Sequence, residues 1–261
     1  MTLSSPLPRA VQRAIQSTPP ALRGVTAGAA QPKPQLRRYQ VMSLQPDGNI
    51  AESRHVAPAL RLFEDAFCAF SRGSLVETEA GPVAVEDLLP GDRIVTAGGA
   101  VLPLLWKGST TLVPGRPGPQ GRNLRLTRIM ADSFGLQRPI SYVLTGPSAR
   151  LLHVPDHLRA LTGGRQMLTP VQQFQDGCNV IDSAPPTAVE LFHLCLPRHS
   201  VIRVAGLEFE TYHPGPNALR QMTPAMRRVF LDLFPHIGNS GDFGPLAHGR
   251  ADDGAMDARD G

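Results

Sequence analysis

The chain has 261 residues, a formal net charge of +4 and a hydrophobic share of 41%. That is enough for one good-sized domain with tails, and no apolar run approaches the ~18 residues a membrane-spanning helix needs. Charged residues make up only 18%, while Gly and Pro number 25 and 26, which favours a turn-rich β protein over a helical bundle.

Cysteines stand at 68, 178 and 195, an odd and sparse set with no C-x-x-C pair. This excludes a disulfide framework and points to a reducing, cytoplasmic compartment. Residues 1–30 lack a continuous apolar run, so no secretory signal is expected, and secretion by a route without such a signal stays open.

Residues 1–36 read as a disordered basic arm, with Arg9, Arg13, Arg23 and Lys33 and no acid before Asp47. Arg9 to Ser17 has the pattern of a short frayed helix. No aromatic residue interleaves the arginines before Tyr39, so nucleic acid is not the expected partner. A protein partner of unspecified kind is left open. Residues 37–66 predict a hairpin, turning at Pro46-Asp47-Gly48-Asn49, and a short lead-in helix carrying Leu60, Leu62 and Phe63.

From 67 to 216 the texture is β. Short apolar stretches alternate with Gly/Pro turns, as in Ser74-Leu75-Val76-Glu77-Thr78 before Gly81-Pro82. A long Pro/Gly loop is expected at residues 114–121, and one or two helical turns at residues 155–161. Residues 217–237 predict a helix that starts at Thr223-Pro224 and places Met226, Val229, Phe230, Leu233 and Phe234 on one face. Residues 238–261 read as a flexible tail. The hairpin and the late helix are expected to be appendages of the β domain.

The run Phe70-Ser71-Arg72-Gly73-Ser74, followed by Val85-Glu86-Asp87-Leu88-Leu89-Pro90-Gly91-Asp92, resembles the opening of a Hint domain, the hedgehog/intein fold, in its bacterial branch. The resemblance spans about 69–216. It implies a mainly β fold: a partly closed barrel or horseshoe of short strands with short flanking helices. It also implies a chemistry. The first residue supplies a thiol or hydroxyl that attacks the carbonyl just upstream, converting the amide to a thioester or ester. A His from a Ser/Thr-Pro-x-His segment protonates the leaving nitrogen.

The chain departs from that pattern twice. Counting back from Gly73 puts Ala69 at the nucleophile position. In Gly146-Pro147-Ser148-Ala149-Arg150, Gly146 stands at the Ser/Thr position and Ala149 at the His position. An alkyl side chain fills neither role. The reading is therefore a non-catalytic binding or scaffold module with a degenerate site.

The alternative is a self-processing enzyme that performs an N–S or N–O acyl shift through Cys68 or Ser71. Cys68 lies one residue early, and in extended backbone it faces the opposite side from Ala69. Ser71 shares a face with Ala69 but lies downstream of the bond normally attacked. His193 and His199, in a stretch that resembles the family's closing strands, are the candidate proton donors. With Cys195 they could suggest a metal, yet no fourth ligand is suitably spaced, so neither metal nor cofactor is expected. Glu86 and Asp87 read as solvated charges near a turn, and Asp92 as a turn acceptor.

Overall fold

The computed structural model describes residues 35–113, 125–156, 159–160, 163 and 165–251. Most of the basic arm, the loop at 114–121, much of the expected helix at 155–161, His157 and residues 252–261 lie outside them.

Sixteen strands are described, paired antiparallel in two open sheets that do not close into a barrel. In chain order they are β1 (Leu36–Leu44), β2 (Ile50–Pro58), β3 (Phe70–Ser71), β4 (Leu75–Thr78), β5 (Gly81–Ala84), β6 (Arg93–Val95), β7 (Val101–Pro103) and β8 (Trp106–Leu112). There follow β9 (Leu126–Ile129), β10 (Val143–Thr145), β11 (Arg150–Leu152), β12 (Leu168–Pro170), β13 (Val180–Ser183), β14 (Val189–Cys195), β15 (Val201–Val204) and β16 (Leu207–Glu210). Among the described residues two α-helices flank them, α1 (Arg61–Asp65) and α2 (Pro224–Leu231). The first sheet runs β13-β9-β10-β3-β14-β8-β1-β2. The second runs β12-β11-β16-β15-β4-β6-β7, with β5 on β4.

Two apolar cores form, and the first sheet contributes to both through β14. The first core gathers Tyr39, Phe67, Cys68, Trp106, Tyr212, Phe230 and Phe234. The second gathers Ala69, Phe70, Ile94, Ala149, Leu151, Leu194 and Phe209. The switch between them falls within two consecutive residues, Cys68 and Ala69.

The hairpin and late helix are not appendages, which corrects the expectation. β1 pairs with β8 over Gln40–Ser43, so the hairpin extends the first sheet. Thr223 caps α2 by accepting from the Met226 N–H at 3.3 Å, and the expected apolar face delivers Met226, Val229 and Phe230 into the first core. Trp106 Nε1–H donates to Leu233 O at 2.8 Å, and the Trp106 and Phe234 rings stack at 4.8 Å. An amphipathic pattern shows that a face is buried but not which sheet buries it, and so the sequence left both elements outside.

The tail expectation also fails up to Ala251. Asn239 and Asp242 form a reciprocal capping box around a short 3-10 turn, Ser240–Phe243, and Phe243 is buried. Further on, the Arg250 side chain is only 6% exposed.

Glu86 is more than a solvated charge. Its Oε2 accepts from the Gly73 N–H at 2.8 Å, tying the Val85–Asp92 turn to the turn after β3. Asp92 accepts from the Leu89 N–H at 2.7 Å, as expected of a turn acceptor. The Lys107 ammonium, largely buried, donates to Glu86 O at 2.7 Å and to Leu88 O. One cation thus satisfies carbonyls that the tight turn leaves without ladder partners.

Candidate active-site cleft

β3 is two residues long and lies between β10 and β14. Just before it, the Ala69 N–H donates to Phe192 O at 3.0 Å, and Ala69 O accepts from the Gly146 N–H at 2.8 Å. The Ser148 N–H donates to Cys68 O at 3.2 Å. The segment 146–149 therefore grips the carbonyl one residue upstream of Ala69. A backbone donor on that oxygen is the arrangement that stabilises charge on an attacked carbonyl.

The approach is close enough to demand glycine. A Cβ built on Gly146 would lie 2.0 Å from Cys68 O. The bare Cα of Gly146 lets the loop settle onto the carbonyl. Ala69 is wholly buried and Ala149 is 2% exposed, both in the second core.

Cys68 is equally buried, on the first-core side, among Tyr39, Phe67 and Trp106. Burial, with the nearby Glu64 carboxylate, raises its thiol pKa well above the ordinary value. A thiol so placed is a small hydrophobe with little thiolate to offer. Ser71 is buried in β3 opposite Leu191, and its hydroxyl reaches only Arg72 O at 3.4 Å. Among the described residues, neither nucleophile candidate is hydrogen-bonded to a histidine.

The histidines lie in a polar cluster beside segment 146–149. A cavity of about 50 Å³ is lined by Asp65, Ser148, His193, Glu210, Tyr212 and Arg250, among others. His193 packs edge-on against Phe70 at 5.7 Å and Tyr212 at 5.3 Å. Burial lowers its pKa to about 3, so its ring is neutral. The buried hydroxyls of Ser148 and Tyr212 make no hydrogen bond among the described residues. A much larger groove of about 900 Å³, along β1 and β8 by Arg37, Arg38 and Glu190, shares no residue with this cavity and none of the candidate groups.

His199 accepts at Nδ1 from the Ala247 N–H (2.8 Å), which places its proton on Nε2, donating to Glu210 Oε1 at 2.9 Å. Glu210 also receives Arg250 at 2.7 Å and has Arg150 at 3.7 Å. Burial works to raise the Glu210 carboxyl, but the His199 hydrogen bond and the two guanidinium charges outweigh it and hold the pKa at about 2. His213 accepts at Nδ1 from the Gly215 N–H (2.9 Å) and donates from Nε2 to Gly244 O (3.0 Å). Burial depresses its pKa to about 4. Among the described residues no group of three or more His, Cys, Asp and Glu side chains is disposed to hold a metal. No described helix is long and apolar enough to cross a membrane.

His193 and His199 thus meet in one neighbourhood, while Cys68 and Ser71 stand apart from it. Sequence reading missed Glu210, His213, Arg150 and Arg250. Glu210 and His213 lie in the closing stretch that resembles the family, a usable signal. Arg250 had none, because its partner is 40 residues away.

Solved structures with a similar fold include the bacterial intein-like domain from Clostridium thermocellum, at 13% identity over 56% of this chain and 99% of that one, with a TM-score of 0.40. The DnaB intein from Synechocystis sp. PCC 6803 is also 13% identical, over 56% of this chain and 99% of its own, at a TM-score of 0.33. No curated protein matches the chain. The assignment rests instead on the family profile for the Hint domain, which matches residues 68–216, from Cys68 through the gripped carbonyl and the histidine strands to Pro216. That is more than half of the sequence, and the chain belongs to the Hint domain family.

Proposed function

We propose that this Hint domain keeps the cleft of its family without the acyl shift and serves as a binding or scaffold module. One observation carries the reading: Ala69 and Ala149, at the two positions where the resemblance expects nucleophile and histidine, are methyl groups buried in the same apolar core. A methyl group neither attacks a carbonyl nor donates a proton. The neighbouring groups offer poor substitutes. Cys68 faces the other core, and the neutral His193 has a pKa of about 3, too low to hold a proton at neutral pH.

A second reading draws on the start of the family match at Cys68 itself. In that register the Cys68 sulfur attacks the Phe67 carbonyl, a thioester forms, and the Cys68 nitrogen leaves with a proton. Intact-mass measurement of the purified chain, with and without added thiol, separates the two. The non-catalytic reading predicts one uncleaved species in both samples. A thiol-dependent product cut between Phe67 and Phe70 overturns it.

A further inference from the structure

Residues 244–251 lie beyond the family match, yet they occupy a groove made by it. β12 is the last strand of the second sheet, and this segment meets its outer edge at Leu168 through a single bridge. The Leu168 N–H donates to Gly249 O at 2.9 Å, and the Ala251 N–H donates to Leu168 O at 3.1 Å. Leu168 and Arg250 form a parallel bridge. Extended backbone added to a free sheet edge, with one side chain in a pocket, is the way many domains bind peptides.

The pocket is built for a guanidinium. Arg250 Nε reaches Glu210 Oε1 at 2.8 Å, and Nη2 reaches the same oxygen and His213 O, each at 2.7 Å. Gly215 has φ +94°, and a Cβ there would come within 3.2 Å of Arg250 Nη1. Glu210 is held independently by His199, so the acceptor stays in place whichever arginine fills the pocket.

The segment is held lightly. Pro245, Ala247 and Gly249 are exposed, Leu246 and His248 half-buried, and only Arg250 is buried. Apart from that side chain it is fixed by polar bonds, such as Ala247 N–H to His199 Nδ1. A stretch with one buried side chain and an exposed backbone opens locally, without global unfolding. By contrast, α2 is fixed by Phe230 and its neighbours in the first core.

We propose that the β12 edge and the Glu210–His213–Gly215 pocket form a binding groove for an extended peptide bearing arginine after a small residue, and that residues 244–251 are its tethered occupant. A peptide of the same chemistry displaces them in trans. The proposal rests on the binding-module reading and names the partner class.

The test titrates a fluorescein-labelled peptide copying residues 244–252 into three full-length chains: wild type, Arg250→Ala and Ala251→Pro. The last removes the N–H that donates to Leu168 O. Hydrogen exchange at the Leu168 amide reports whether the segment has been released. Both variants are expected to lose protection there and to bind the peptide at least tenfold more tightly than wild type. The same peptide with lysine for arginine should bind at least tenfold more weakly, because lysine lacks the planar fork.

Three results overturn the proposal: no peptide binding once Leu168 is deprotected, equal binding of the lysine peptide, or Leu168 still protected in Arg250→Ala. If neither variant folds, the segment is part of the core and the proposal fails. Intact mass on the same samples is an independent arm, since a cleaved product removes the non-catalytic reading while the titration still reports on the groove.

Discussion

Cys68 and Ala69 are neighbours in the chain and face opposite cores, both completely buried. The first looks toward Trp106 and the C-terminal helix, the second toward Ala149 and the second sheet. Both lie in the bend that leads from α1 into β3, and there the thiol joins the first core while the Ala69 methyl joins the second. The Ser148 N–H nevertheless donates to Cys68 O.

Because a Cβ at position 146 would lie 2.0 Å from Cys68 O, Gly146→Ala forces the loop off that carbonyl. The expected cost is about 3 kcal/mol, at the upper end for overpacking against backbone that cannot yield. Urea denaturation of the variant beside wild type measures it.

Trp106 and Phe234 join the first sheet to the C-terminal region through a stacked ring pair, with the Leu233 carbonyl as acceptor. Phe234→Ala should cost about 3–5 kcal/mol, as for other buried Phe truncations. Trp106→Phe should cost at least the ~1–3 kcal/mol of stranding a buried carbonyl. Tryptophan fluorescence follows unfolding of Phe234→Ala, and circular dichroism follows Trp106→Phe. One cooperative transition is expected, since hairpin, sheet and α2 share a core.

Glu210 is the anion at the centre of His199, Arg150 and Arg250. Glu210→Gln leaves buried positive charge without its partner, and the expected loss is about 3–5 kcal/mol at pH 7. The folded pKa of about 2 lies below the ordinary 4.5, so this stabilisation is present above pH 4.5 and is lost as pH falls toward 2. The difference between wild type and variant should therefore shrink over that window in denaturation series.

His236 is held at about pKa 4 by burial, against an ordinary 6.5. Its unfolded form binds the proton first, so it lowers stability as pH falls from 6.5 to 4. His236→Phe should remove up to one proton from the pH slope, about 1.4 kcal/mol per pH unit. Burial raises the Glu64 and Asp65 carboxyls, which act in the opposite direction. They are common to both proteins, so the difference in slope isolates His236.

Much of the fold was legible because its signals are local. Pro-Gly turns such as Pro90-Gly91-Asp92 bound short strands, and Thr223-Pro224 starts a helix. Part of the candidate cluster was legible for the same reason: His193 and His199 lie in one closing stretch. What stayed hidden depends on distant contact. No local pattern brings Arg250 to Glu210, joins β1 to β8, or shows that Gly146 is bare because a carbonyl rests on it.

With methyl groups at Ala69 and Ala149, we expect no acyl shift in the cleft. Hydroxylamine treatment of the native full-length chain, followed by mass mapping of the peptides around residues 60–75, tests it most directly. Hydroxylamine traps a thioester or ester as a hydroxamate on the residue upstream of the nucleophile. The backbone is expected to stay intact, with no hydroxamate at Phe67, Cys68 or Phe70. A hydroxamate at Phe67, with a new N-terminus at Cys68, would contradict it and make Cys68 the nucleophile.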